Sequence, residues 1–203
     1  MYRYSEVPGQ ERIINYLKKI KSAKSISHAY IIQDEFSENA KTIAYAFAMS
    51  LLCEKGGAQA CLKCHACKLI LKENHPDLIY VGAQNLKSIS VNDIREKVND
   101  TVNIKPYSSL YKVYIIDKAD TMTVQAQNAL LKTIEEPPEY TVIILISQSL
   151  DRFLPTIKSR CIKLHLSLVS DKIIMDKLKE SGVDPELSKS LVSFSRGDLS
   201  KAL

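Results

Sequence analysis

Several features are missing from this 203-residue chain, and each absence narrows what it does. No apolar run approaches the ~20 residues that span a bilayer. The amino terminus, Met1-Tyr2-Arg3-Tyr4-Ser5-Glu6, has no signal-peptide core. A cytoplasmic protein with no membrane partner is therefore expected. There is no internal repeat and no low-complexity segment, so neither a repeat array nor a disordered tail is indicated. Charge is not strongly one-sided: 28 Lys and Arg face 23 Asp and Glu, a net +5. Part of that excess is Lys18, Lys19, Lys21 and Lys24, which reads as a solvated helix end more readily than as a nucleic-acid patch. Glycine is absent from one loop where it would matter, residues 33–42.

What is present is ordinary globular material, 45% hydrophobic and 25% charged, enough for one sizeable core plus a small satellite domain. Ile13, Ile14, Leu17 and Ile20 have helical spacing. Ala29-Tyr30-Ile31-Ile32 reads as a first strand, and Ala40, Ile43, Ala44, Phe47, Ala48 and Leu51 as one face of a helix. Leu78–Val81 reads as the next strand. Ser90 and Asp93 form a capping-box-like helix start. Two buried strands follow, 113–117 and 141–147. The helix between them must end before Pro137-Pro138, because proline has no amide proton and disfavours helical geometry in the residue before it. Cys161–Leu166 alternates and is expected to add an edge strand.

Apolar strands alternating with amphipathic helices predict an α/β fold, a mostly parallel sheet with helices on both faces. Beyond Ser167 only short helical patterns remain. The expected division is an α/β domain over 1–166 and a small helical domain over 167–203. The final helical pattern has no stop signal, which reads as a fragment of something longer.

Four of the five cysteines, Cys53, Cys61, Cys64 and Cys67, are spaced C-x7-C-x2-C-x2-C. In a cytosolic protein this points to metal rather than disulfides. Thiolates bind zinc tetrahedrally, and four of them leave no open position, so one structural Zn2+ per chain is expected. His65 and His75 lie nearby but are superfluous as ligands and read as surface residues. Cys161 reads as an inert core thiol in an apolar strand.

The stretch Val113–Cys161 carries the main functional signal. An acid, Asp117, ends a buried strand, as it does where P-loop ATPases hold magnesium. A P-loop also needs glycines to curl its amides around phosphate, a lysine and a Ser/Thr. The candidate loop, Gln33-Asp34-Glu35-Phe36-Ser37-Glu38-Asn39-Ala40-Lys41-Thr42, ends in the right pair but has no glycine. Asp34, Glu35 and Glu38 also put negative charge where a triphosphate would sit. The residue after Asp117 is Lys118, which in its protonated form cannot activate water. Asp117 then reads as a strand-end acid capping a turn, and no ATP is expected on this chain.

Val7-Pro8-Gly9-Gln10, His28-Ala29-Tyr30, the cysteine cluster, His75-Pro76-Asp77, Asn128–Pro138 and Ser159-Arg160-Cys161 together resemble the bacterial clamp-loader family of AAA+ proteins. The resemblance covers nearly the whole chain and implies an AAA+ sheet with an inserted zinc module and a helical lid. It lays Asp34, Ser37 and Asn39 on the P-loop glycines, Ala40 on its lysine, Asp117-Lys118 on the acidic pair, and Ser200 on the lid arginine. Loss of all four elements is similar to the delta-prime type of subunit, a non-motor component of the DNA polymerase III holoenzyme. The family's collar domain is expected to lie outside this sequence, in line with the fragment reading.

Carried over, the resemblance implies that Arg160 is an arginine finger acting in trans on a neighbour's ATP. It also implies partners: gamma/tau-type motor subunits and a delta subunit directly, the sliding clamp indirectly, and primer-template DNA within the complex. Two other readings stand beside it. One is an active clamp-loader ATPase with an unconventional loop. The other is a zinc-containing nucleic-acid binder, for which Lys55, Lys63, Lys68 and Lys72 speak, but the absence of any aromatic between Cys53 and Cys67 speaks against it.

Overall fold

The computed structural model describes residues 2–35, 38–82, 88–195 and 197–202, with only the backbone of Leu199 and Ser200. A short 3-10 turn (Tyr4–Glu6) leads into α1 (Glu11–Ser22), β1 (Ala29–Gln33) and α2 (Glu38–Leu52). The cysteine segment carries α3 (His65–Leu71), and β2 (Leu78–Val81) follows. Next comes one helical stretch, α4 (Val91–Ile94), a π-helical turn (Arg95–Asn99) and α5 (Asp100–Val102). Then β3 (Lys112–Ile116), a 3-10 turn (Ala119–Thr121), α6 (Val124–Glu135), β4 (Thr141–Ser147), α7 (Pro155–Arg160) and β5 (Ile162–His165) complete the sheet and its helices. Finally, α8 (Asp171–Glu180), α9 (Pro185–Ser195) and α10 (Leu199–Ala202) form a helical region.

The five strands make one sheet in the order β2-β3-β4-β1-β5, and every pair is parallel. Side chains alternate across a strand, so each strand feeds two cores. Tyr30, Ile32, Val113, Ile115, Val142 and Ile144 point to the side covered by α1 and α2. Ile31, Tyr114, Ile116, Ile143 and Leu145 point to the side covered by the helices of 91–102, α6 and α7. This explains why β3 and β4 read as unbroken apolar runs: both faces are buried. The edge strand expected from Cys161–Leu166 is β5, which ends the strand order beside β1.

Two local expectations hold in detail. Ser90 Oγ accepts from the Asp93 N–H while the Asp93 carboxylate accepts from the Ser90 N–H, a reciprocal cap. The helix α6 ends at Glu135, just short of Pro137-Pro138. One expectation was too narrow. The α2 helix buries far more than a single face, because Tyr45, Ala46, Met49, Ser50 and Leu52 are also buried. It runs between the sheet and a second layer made by α1, the Tyr4–Glu6 turn and α3. The Ser50 hydroxyl trapped there donates to the Phe47 carbonyl at 2.7 Å.

The helical region has its own small core of Val169, Ile174, Leu178, Val192 and Ala202. Just before it, the Ser167 carbonyl and N–H bond both ends of the buried Gln10 amide. Gly197 sits at φ +85, and a Cβ there would meet the Leu168 Cβ at 2.8 Å. Only glycine suits that close approach.

The expectation that His75 lies on the surface is corrected: it is 5% exposed. Its Nδ1 accepts the Asp77 N–H, which holds the turn into β2. Asp77 is itself buried, and its carboxylate accepts the backbone N–H groups of Tyr107, Ser108 and Ser109 and the Ser108 hydroxyl. One acid thus pins the loop that leads into β3.

Burial alone would raise the Asp77 pKa, but the donors from Ser108, Tyr107 and Ser109 outweigh it and hold it below the usual range. Burial lowers the His75 pKa. Both folded values lie below the unfolded ones, so both contributions are complete at neutral pH and shrink with acid. Stability is expected to fall first below about pH 6.5, as His75 is protonated in the unfolded chain, and again below about pH 4 through Asp77. Asp77→Asn should lose about 2–4 kcal/mol at neutral pH and flatten the second step in urea melts taken across pH.

Candidate nucleotide and metal sites

In a parallel sheet all strands end on the same side, and that side is where ligands bind. Asp34 follows β1 and Asp117 follows β3, so both acids sit there. Asp34 is 5% exposed. Its Oδ2 accepts the Asn39 N–H at 3.1 Å and the Ala40 N–H at 3.2 Å. These are first-turn amides of α2, the unsatisfied donors that make a helix start attractive to phosphate. The loop fills this position with its own carboxylate. Ser37 lies outside the described residues, and only the backbone of Ser200, in α10, is described. Thr42 is half-buried in the first turns of α2. A cavity of about 310 Å³ lies between Asp34, Asn39, Gln148, His165 and Gly197.

Asp117 does not cap a turn, contrary to the reading from sequence. Its carboxylate accepts the Tyr80 hydroxyl at 2.6 Å and lies 3.6 Å from Lys41 Nζ. The turn that follows is closed instead by the Lys118 carbonyl, which accepts the Thr121 N–H and hydroxyl, with Lys118 in the left-handed region at φ 52. The Lys41 ammonium also stands 5.6 Å from the centre of the Tyr80 ring. Burial, and then donation to Asp117, push the Tyr80 phenol well above its usual pKa. Tyr80 was not singled out from sequence, since a tyrosine in a short strand carries no motif.

Arg160 is at the other end of the sheet. It closes α7 and precedes β5, whereas Asp34 and Asp117 follow their strands. With Tyr30 opposite Ile162 and Gln33 opposite His165, the length of β5 and its flanks separates Arg160 from the level of Asp34. At about 3.3 Å per residue that is roughly 20 Å. The guanidinium is half-exposed. Its Nη1 donates to the Thr156 carbonyl at 3.1 Å and the Ser159 hydroxyl at 3.4 Å. Its Nη2 lies 3.1 Å from the Glu135 carboxylate. Glu135 lies in the Asn128–Pro138 signature, but nothing in the sequence marks it as a partner of Arg160.

Cys53, Cys61, Cys64 and Cys67 converge, with all four Sγ atoms within 4.8 Å of one another. Cys53 ends the run after α2, and Cys64 caps α3, on which Cys67 lies. The Cys53–Cys64 and Cys61–Cys67 sulfurs are each 4.0 Å apart. A disulfide needs about 2.05 Å, whereas a tetrahedral metal with ~2.3 Å bonds sets its sulfurs about 3.8 Å apart. The donor set and spacing fit such an ion. Backbone N–H groups also aim at the sulfurs: those of Lys63 and Cys64 at Cys61, and that of Cys67 at Cys64. Those of Lys63 and Cys64 pull the Cys61 thiol down to about 6 and favour the thiolate a metal requires. His65 is exposed, as expected. Cys161 is buried apart from this cluster, just before β5 rather than within it, and burial pushes its thiol up to about 12.

Residues 9–170 match the family model described as DNA polymerase III, delta subunit. The chain is 35% identical over 187 residues to DNA polymerase III subunit delta' of Bacillus subtilis, covering 91% of this chain and 56% of that protein. It is 33% identical to DNA polymerase III subunit tau of the same organism, covering 88% of this chain and 31% of that one. Among solved structures, a DNA polymerase III gamma subunit-related protein from Thermotoga maritima superposes with TM-score 0.56 at 23% identity, over 91% of this chain and 58% of its own. The chain thus spans about half the length of the delta' relative, or less of the tau one. Among the described residues no helix is long and apolar enough to cross a membrane. The chain belongs to the clamp-loader subunits of DNA polymerase III.

Proposed function

We propose that this chain is the delta-prime type of clamp-loader subunit, a non-motor part that binds no ATP and completes a neighbour's ATP site. The observation that carries this reading is Asp34. Its carboxylate takes the two α2 amides that a bound phosphate would need. A triphosphate would have to displace a buried acid that is already hydrogen-bonded, while repelled by its charge. In this reading residues 1–166 are the AAA+ domain and 167–203 the lid. Arg160 is the finger given in trans, since its place at the far sheet end suits a site on another molecule. The four cysteines hold one structural zinc ion. Its partners are gamma/tau-type motor subunits and a delta subunit, with the clamp and primer-template DNA reached in the complex, in the cytoplasm.

A motor-type subunit is the second reading, and the similarity to tau speaks for it. So does Lys41, which points at Asp117 as an ATPase lysine and magnesium acid would. Equilibrium titration of the purified chain with magnesium-ATP separates the two. No saturable binding at millimolar nucleotide is expected. Binding in the micromolar range would establish the motor reading instead.

A further inference from the structure

Arg160 is held by its own molecule. The α6 and α7 helices that carry Glu135 and Arg160 are fixed to each other through Gln127, which is 2% exposed. Its amide donates to the Arg152 carbonyl at 2.9 Å and accepts the Leu154 N–H at 2.8 Å, so the chain enters α7 in a set position relative to α6. From that frame the two half-exposed side chains meet at 3.1 Å.

We propose that Glu135 is a latch for Arg160. It is the resident counter-ion that parks the guanidinium until a neighbouring subunit's nucleotide phosphates replace it. The inference rests on the reading of Arg160 as a finger in trans, and it adds how that finger is regulated. The exchange runs in the required direction. An exposed arginine–carboxylate pair contributes little. A phosphate carries more charge and accepts from the guanidinium fork in a bidentate way. Glu135 thus keeps an isolated subunit from offering a bare cation, yet yields when a phosphate arrives. A latch of this kind sets how tightly the neighbour holds nucleotide and leaves the chemical step alone.

The test is a double-mutant cycle in a loader reconstituted from its partner subunits and this protein at full length. It measures KM and kcat for ATP with clamp and primed DNA present. Glu135→Gln keeps the shape and removes the charge. It is expected to lower KM roughly two- to fivefold, with kcat unchanged, and to have no effect once Arg160 is alanine. If Glu135→Gln leaves KM unchanged or raises it while Arg160→Ala still slows turnover, the latch is overturned and the finger stands. The latch is also overturned if the KM shift persists without Arg160. If Arg160→Ala turns over as fast as the wild type, the finger reading falls and the latch with it.

Discussion

Replacing Arg160 with alanine is expected to slow ATP hydrolysis at the neighbouring subunit's site by roughly 10³-fold or more, while leaving this chain folded. The size follows from the chemistry of the guanidinium. It is always charged, and its fork matches the oxygens of a phosphoryl group whose charge spreads as the bond to the leaving group breaks. The harmlessness to the fold follows from the surroundings. Arg160 is half-exposed, and its contacts are one ion pair and two hydrogen bonds within or beside a six-residue helix. An exposed pair of that kind contributes about 0–1 kcal/mol. The measurement is DNA- and clamp-stimulated ATP turnover of the reconstituted loader, paired with thermal unfolding of the subunit. Arg160→Lys should rescue little, because an ammonium keeps the charge and loses the fork. Unchanged turnover with alanine would remove the role.

The strand that ends at Asp117 shows what sequence can and cannot supply. Its apolar run, the helix stop at Pro137-Pro138 and the run at 141–147 follow from local chemistry, and all three stand in the structure. The cysteine cluster was equally legible, since ligand spacing is itself a local property. The environment of each acid was not. Asp34 was read as a charge that repels phosphate, and its bonds to the Asn39 and Ala40 amides could not be seen. Asp117 was read as a turn cap, but its partners Tyr80 and Lys41 come from a different strand and a different helix. Asp77 and His75 carry no pattern at all that marks them as buried, and the role of Asp77 appears only when β2 is laid beside the loop before β3. Contacts that cross the sheet are set by strand order, and a single sequence does not print strand order.

Removing the metal is expected to unravel the cysteine segment and weaken the main core with it. Local helical structure alone does not hold that segment. The α3 helix has seven residues, well below the ~12–15 at which a helix is marginal alone. Its buried side chains, Ala66, Cys67 and Ile70, lie on the module side of the sheet, where Cys67 and Ile70 join the same cluster as Leu51 and Leu52 at the end of α2. Without an ion the four converging thiols, two of them buried at Cys53 and Cys67, would be held by weak hydrogen bonds such as that from the Cys61 N–H to the Cys53 Sγ at 3.4 Å. Structural zinc contributes about 10–16 kcal/mol in small zinc-binding peptides, and part of that is the folding of the segment itself. Metal analysis should find one zinc per chain. A chelator, or Cys64→Ser, should release it, lower the thermal midpoint and open residues 53–67 to protease, whereas Cys161→Ser should keep the metal. The sheet should persist in the stripped protein, because its second core of Ile31, Tyr114, Ile143 and Leu145 lies on the opposite face. Purified protein with four titratable thiols, no zinc and an unchanged melt in chelator would refute the site.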